Sequence, residues 1–202
     1  MPTQTQSTKD QRIQRRRSEI LTAAVQLFQE DGYHSTTTHA VAERAGISVG
    51  LIYQFFGNKE YLLRAAIVDI HGEFRDRIPA AMEEAGADPE ARIRMGFRTL
   101  VEVIDEKPEA TVLSYRESMT LSKEGRDEIK ALEIETAEPF RGALLDGMTS
   151  GDFREVDADL VVHNLLLTAH GWALKHWRLS RWLDLDSYVE RELDLLLRAI
   201  RT

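Results

Sequence analysis

Between Ser48 and Lys59 the chain sets slim side chains among hydrogen-bonding ones: Ser48, Val49, Gly50, Leu51, Tyr53, Gln54 and Lys59. On a short helix these types suit base edges in a groove about 12 Å wide, where only small side chains at the entering end allow close approach. Gly50 lets the backbone come near, Val49 and Leu51 offer apolar contact to thymine methyls, and the Gln54 amide can pair with adenine. The Tyr53 hydroxyl, the Thr37 hydroxyl and the Lys59 ammonium suit phosphate oxygens instead. Arg15, Arg16 and Arg17 lie upstream, either along the backbone or minor groove of a duplex or as a solvated arm.

Covalent chemistry has little support. The chain has no cysteine, which removes disulfides, thiolate metal sites and cysteine nucleophiles. His163 and His170 are seven residues apart, beyond the i, i+4 spacing that would chelate a metal from one helix face. With no nucleophile motif, phosphate loop or paired carboxylates, neither an enzyme nor a cofactor is expected, and no metal. A polar start and the lack of an apolar run of about 18 residues argue against a signal peptide or membrane span, so a cytoplasmic protein is expected.

These residues must be held by helices. Apolar residues recur at three- and four-residue spacing almost throughout, and the class read from this is all-α with about nine helices. The expected spans are 15–31, 37–45, 49–56, 59–77, 88–105, 108–121, 123–149, 157–180 and 185–201. Gly32 ends the first helix, Thr37 and Ser48 cap the second and third, and Asn58 caps the fourth. Pro79 should lie past the end of the fourth helix, and Pro139 should kink the seventh. Two short helices joined through Gly46 and Ile47 make a helix-turn-helix.

Net charge is −8, which speaks against a nucleic-acid partner until its distribution is examined. Residues 1–60 hold seven basic and six acidic side chains, a balance of +1 that leaves −9 for the remainder. The division drawn is a flexible basic arm over 1–14, a DNA-binding domain over 15–60, and a ligand-binding and dimerisation domain over 61–202.

The run Ala42, Glu43, Arg44, Ala45, Gly46, Ile47, Ser48, continued by Val49 to Phe56 and by Asn58, Lys59 and Glu60, closely resembles the DNA-binding module of the tetracycline-repressor family of bacterial regulators. The paired Thr36 and Thr37 belong to the same match, which spans roughly residues 15–65. Leu51 stands where the family often has threonine, and Phe55 where it has tyrosine or histidine, so neither can donate to phosphate. Phe55 either faces the DNA or packs against the first helix. The remaining two thirds resemble the family in length, helix count and the Gly151, Asp152, Phe153, Arg154 turn. The resemblance implies a ligand-responsive repressor that binds double-stranded operator DNA as a homodimer through its last two helices. An activator or a ligand-independent binder would share the fold.

The last two long helices carry more apolar positions than one subunit can cover. Leu160, Leu167, Leu174 and Trp177, with Leu193, Leu196, Leu197 and Ile200, are the interface candidates. Met95, Phe97, Tyr115, Arg116, Met119, Phe140, Leu144, His170 and Trp172 are candidates for a small-molecule site, each open to the alternative of plain core. Apolar walls with a few polar groups favour a hydrophobic effector, with a fatty-acyl compound the class expected.

Overall fold

The computed structural model describes residues 4–202. Ten α-helices run in the order α1 (Gln4–Glu30), α2 (Thr38–Arg44), α3 (Val49–Phe56), α4 (Lys59–Glu84), α5 (Pro89–Glu106), α6 (Pro108–Glu117), α7 (Lys123–Ser150), α8 (Ala158–Leu174), α9 (His176–Leu179) and α10 (Leu185–Ile200). The all-α class holds, with one helix more than expected. The segment read as a single helix over 157–180 ends at Leu174, and α9 follows as a separate short turn.

The first helix starts at Gln4 rather than Arg15, so residues 4–14 of the expected flexible arm are helical. Residues 1–3 of that arm lie outside the described residues. Lysine, arginine and glutamine in this stretch are good helix formers, and they extend a helix anchored further along by Ile20, Ala24, Leu27 and Phe28. Likewise α4 runs through Pro79 to Glu84. Pro79 and Arg75, whose carbonyl the missing N–H would have met, are both exposed, so water can satisfy that carbonyl. Pro139 lies within α7, which remains one helix from Lys123 to Ser150.

Two cores divide the molecule. The head core joins Ile20, Leu27 and Phe28 of α1, Val41 and Ala42 of α2, Ile52 and Phe56 of α3, and Leu62, Leu63, Ala66 and Ile67 of α4. Leu113, Leu121 and Ile129 reach into it from the α6–α7 region. The body core takes Ile70, Phe74, Ile78 and Met82 from the rest of α4 and adds α5, α7, α8 and α10. One continuous helix therefore supplies both cores, and the division between them falls within α4 after Ile67.

Close packing fixes the body. A Cβ at Gly96 would stand 2.7 Å from the Met82 sulfur and 2.9 Å from Phe140, so glycine there lets α5 approach α4 and α7. Gly147 meets the ring of Phe153 in the same way, and Phe153 plugs the turn that the left-handed Gly151 makes after α7.

Candidate nucleic-acid interface and ligand cavity

The head is built around the joint between α2 and α3. Gly46, at φ +63°, turns the chain after α2, and Ile47 donates its N–H to the Ala42 carbonyl at 2.9 Å. The Thr37 hydroxyl accepts from the Ala40 N–H at 3.1 Å and closes the start of α2. Asn58 does the same for α4, accepting from the Tyr61 N–H at 2.9 Å. Ser48 has the extended backbone of a cap, but its hydroxyl makes no capping bond to α3. That hydroxyl stands exposed at the entering end of the helix.

On α3, Ile52 and Phe56 face the core, while Gly50, Tyr53 and Gln54 are exposed and Val49 and Leu51 half-buried. Gly50 and Gln54 thus stand clear of the core, whereas Val49 packs against it. Gly50 has helical geometry with nothing nearer than the Ser48 hydroxyl, 3.9 Å from where its Cβ would be. Glycine costs about 1 kcal/mol in a helix relative to alanine, and no contact within the chain requires it here. Close approach of an external partner gives a reason for it. The Tyr53 hydroxyl lies 3.4 Å from that of Thr38, which links α3 to the buried start of α2. Phe55 is half-buried, packs against the head core and lies 6.0 Å from the Phe56 ring.

Lys59 is placed differently from its sequence reading. Its ammonium donates to the carbonyls of Tyr33 (2.9 Å), His34 (3.2 Å) and Thr36 (3.0 Å), and it lies 4.4 Å from the centre of the Tyr33 ring. An ammonium has three hydrogens, and all three are used. Lys59 therefore clamps the α1–α2 loop onto the start of α4 and has no donor left for a phosphate. Thr36 is its partner in this, its single hydroxyl hydrogen shared between the Leu27 and Gly32 carbonyls.

The three arginines separate as well. Arg15 and Arg16 are exposed and share Glu19, pairs weak enough in water for a phosphate to replace the carboxylate. Arg17 turns inward, 5.8 Å from the Phe56 ring and 3.7 Å from Asp69 of α4.

In the body, a cavity of about 120 Å³ lies between α4, α6, α7 and α8, lined by His71, Phe74, Tyr115, Glu133, Thr136, His163, Leu166, Leu167 and His170. The Tyr115 hydroxyl is 2.9 Å from His170 Nδ1. Burial lowers the pKa of His71 from 6.5 to about 4, and burial together with nearby His71 does the same to His170. Both rings are thus neutral near pH 7. His71 Nδ1 is buried and unpartnered.

Of the ligand candidates, Tyr115 and His170 line this cavity. Phe97, Phe140 and Leu144 are fully buried in the body core. Trp172 is buried too, its indole N–H donating to Asp105 at 2.7 Å and its ring 5.0 Å from that of Tyr188. Met95, Arg116 and Met119 stand exposed on the outer surface. Aromatics and methionines are common to cores and pockets, which is why composition did not separate them. His71, Glu133 and Thr136 were missed. A histidine and a threonine on otherwise buried helix faces were the available signal.

The interface candidates divide by face. Leu160, Leu167 and Trp177 are exposed and Leu174 and Leu196 half-buried, whereas Leu193, Leu197 and Ile200 fill their own subunit's core. On α10 the unburied apolar face includes Leu195, Leu196 and Ala199, and with Val161, Asn164 and Thr168 of α8 it borders a groove. None of the described helices is long and apolar enough to cross a membrane. Among the described residues no cluster of His, Asp or Glu could hold a metal ion.

A short exposed helix carried on a satisfied three-helix head, joined by one long helix to a cavity-bearing body, defines a helix-turn-helix regulator of the one-component kind. Residues 20–66 match the signature of bacterial regulatory proteins of the tetR family, and residues 86–198 match the tetracyclin repressor-like C-terminal domain. The chain belongs to the tetR family. It is 33% identical over 190 residues to the HTH-type transcriptional regulator HbdR of Aromatoleum sp. (strain CIB), covering 94% of this chain and 82% of that protein. It is 30% identical over 189 residues to the HTH-type transcriptional repressor KstR2 of Rhodococcus jostii (strain RHA1), covering 90% and 89%. The fold is shared with the regulator FadR of Bacillus subtilis, solved with stearoyl-CoA, at a TM-score of 0.78 and 23% identity, over 91% of this chain and 99% of that one.

Proposed function

We propose that the chain is a transcriptional repressor that binds operator DNA as a homodimer and leaves it when a small hydrophobic effector, of fatty-acyl type, occupies the body. The observation that carries this reading is α4: Leu62, Leu63, Ala66 and Ile67 belong to the head core, while His71 and Phe74, one and two turns later, line the cavity. A ligand that prefers one position of α4 over another must shift the head with it. The KstR2 relative is a repressor by name, and the FadR neighbour was solved with an acyl-CoA, which supports both parts of the reading.

Dimerisation accounts for the exposure of Leu160 and Leu167 on α8 and of Leu195 on α10, large apolar groups that a partner subunit would cover. Two copies would set the α3 helices about one DNA turn apart, roughly 34 Å, to read successive major grooves. Such a protein acts by binding rather than catalysis, in the bacterial cytoplasm where its DNA lies.

The test is fluorescence anisotropy with duplex DNA from the region upstream of the gene, with and without saturating acyl-CoA. Nanomolar binding that weakens at least tenfold with effector is expected. Unchanged operator affinity in an effector-saturated dimer would overturn the reading. Leu160→Glu combined with Leu195→Glu should give monomers by sedimentation and weaken operator binding by two orders of magnitude or more.

A further inference from the structure

The body cavity sets hydrogen-bonding side chains among apolar walls. His71, Tyr115, Glu133, Thr136, His163 and His170 line it together with three apolar side chains, and the lining contains no lysine or arginine. Resting on the effector reading above, we infer that the effector presents an uncharged hydrogen-bonding group, such as an amide, ester or thioester carbonyl, to His71, and that a free carboxylate is rejected.

Three observations support this. First, His71 is only 5% exposed and its Nδ1 meets no partner, although buried nitrogens are nearly always paired. His71 borders the cavity, so a turn of its ring would bring Nδ1, protonated there, to a carbonyl oxygen in that space and supply the missing bond. Second, an anion inside the cavity would find no cation in its lining; those of the adjoining outer groove, Lys130 and Arg141, are paired with Asp127 and Asp159. Burial keeps both histidines neutral, and Glu133, at the rim, has its own carboxyl pKa raised by desolvation rather than lowered by a cationic neighbour. Moving a carboxylate from water into such surroundings is uncompensated, whereas a neutral carbonyl loses far less hydration. Third, the volume of about 120 Å³ is below the roughly 150 Å³ of an apolar cavity that holds benzene, so the buried end is a short branched chain or a small ring. A longer remainder can leave between α7 and α8, where Glu133, His163 and Leu166 also border an outer groove over Ile134 and Ala137.

The probes are isobutyramide and isobutyrate, alike in shape and different in charge at pH 7.5, titrated into the full-length protein by ligand-observed NMR. The amide should bind at least tenfold more tightly. On the unmodified protein, imidazole nitrogen NMR should show the His71 resonances moving with isobutyramide and not with isobutyrate. In His71→Leu, which removes the unpaired nitrogen, the thermal midpoint without ligand should rise by a few degrees and the amide preference should vanish. Isobutyrate binding within threefold of the amide, failure of both probes to bind, or His71 nitrogens indifferent to bound amide would each overturn the inference. Operator binding is measured on the same samples. If it is intact while isobutyrate is preferred, only the cavity chemistry fails; if it is absent from the unmodified protein, the regulator reading fails.

Discussion

The head and the body differ at a few buried polar groups. In the head, the Lys59 ammonium has three carbonyl partners and the Thr36 hydroxyl two, so the loop between α1 and α2 is tied to α4 with no donor unused. In the body, His71 Nδ1 and Thr111 Oγ1 are buried without partners among the described residues. A reading head has to hold its geometry against DNA, and complete internal satisfaction makes it rigid. An effector domain gains from leaving a polar group for a ligand to complete, at a cost in stability while the ligand is absent.

The comparison breaks most visibly if the body is a loose container rather than a packed shell beside its cavity. Phe140→Ala should then be mild; with Phe140 fully buried in the body core, the expected cost is about 3–5 kcal/mol by chemical denaturation.

Acid provides the next test. His71 and His170 are held near a pKa of about 4 in the folded protein, below the ordinary 6.5 that applies when unfolded. The unfolded chain therefore binds more protons between pH 6.5 and 4, and stability is full above pH 6.5 and falls across that window. Thermal midpoints measured from pH 7.5 to 4 should show this fall, and His71→Leu should flatten it. An unchanged slope in that variant would remove the contrast between the two regions.

In the head, Lys59→Met should cost about 1–3 kcal/mol by stranding loop carbonyls, and it should weaken operator binding while leaving the salt dependence as it was. A phosphate ligand would instead reduce the salt slope by about 1 when removed. Gln54→Ala is expected to have the smallest effect on the fold, within about 0.5 kcal/mol, because the side chain is exposed. Its effect should appear as relaxed base preference, about 1–3 kcal/mol at one position in a competition assay with substituted operators. Equal loss on specific and random DNA would place Gln54 outside the base-reading set.

Local rules settled much of the head in advance. Gly46, Thr37 and Asn58 act through their own backbone and the next turn, so the boundaries of α3 and the start of α4 could be read directly. The exposure of Gly50, Tyr53 and Gln54 followed from the same periodicity that buries Ile52 and Phe56. Lys59 escaped this reading because its three acceptors lie 23 to 26 residues earlier, and no local pattern reports such a contact.

For the body, the sequence determined the helical type of the long elements and their amphipathic faces, since both depend on spacing along one helix, but not the break after Leu174 that sets α9 apart. Which apolar side chains close the core and which border a cavity was decided only by how α4, α6, α7 and α8 meet. Phe140 and Tyr115 look alike as residue types, yet one is sealed and the other bonds His170 beside open space. Periodicity assigns a side chain to a face of its helix; whether that face meets a neighbour or a gap depends on long-range packing, which no single helix encodes.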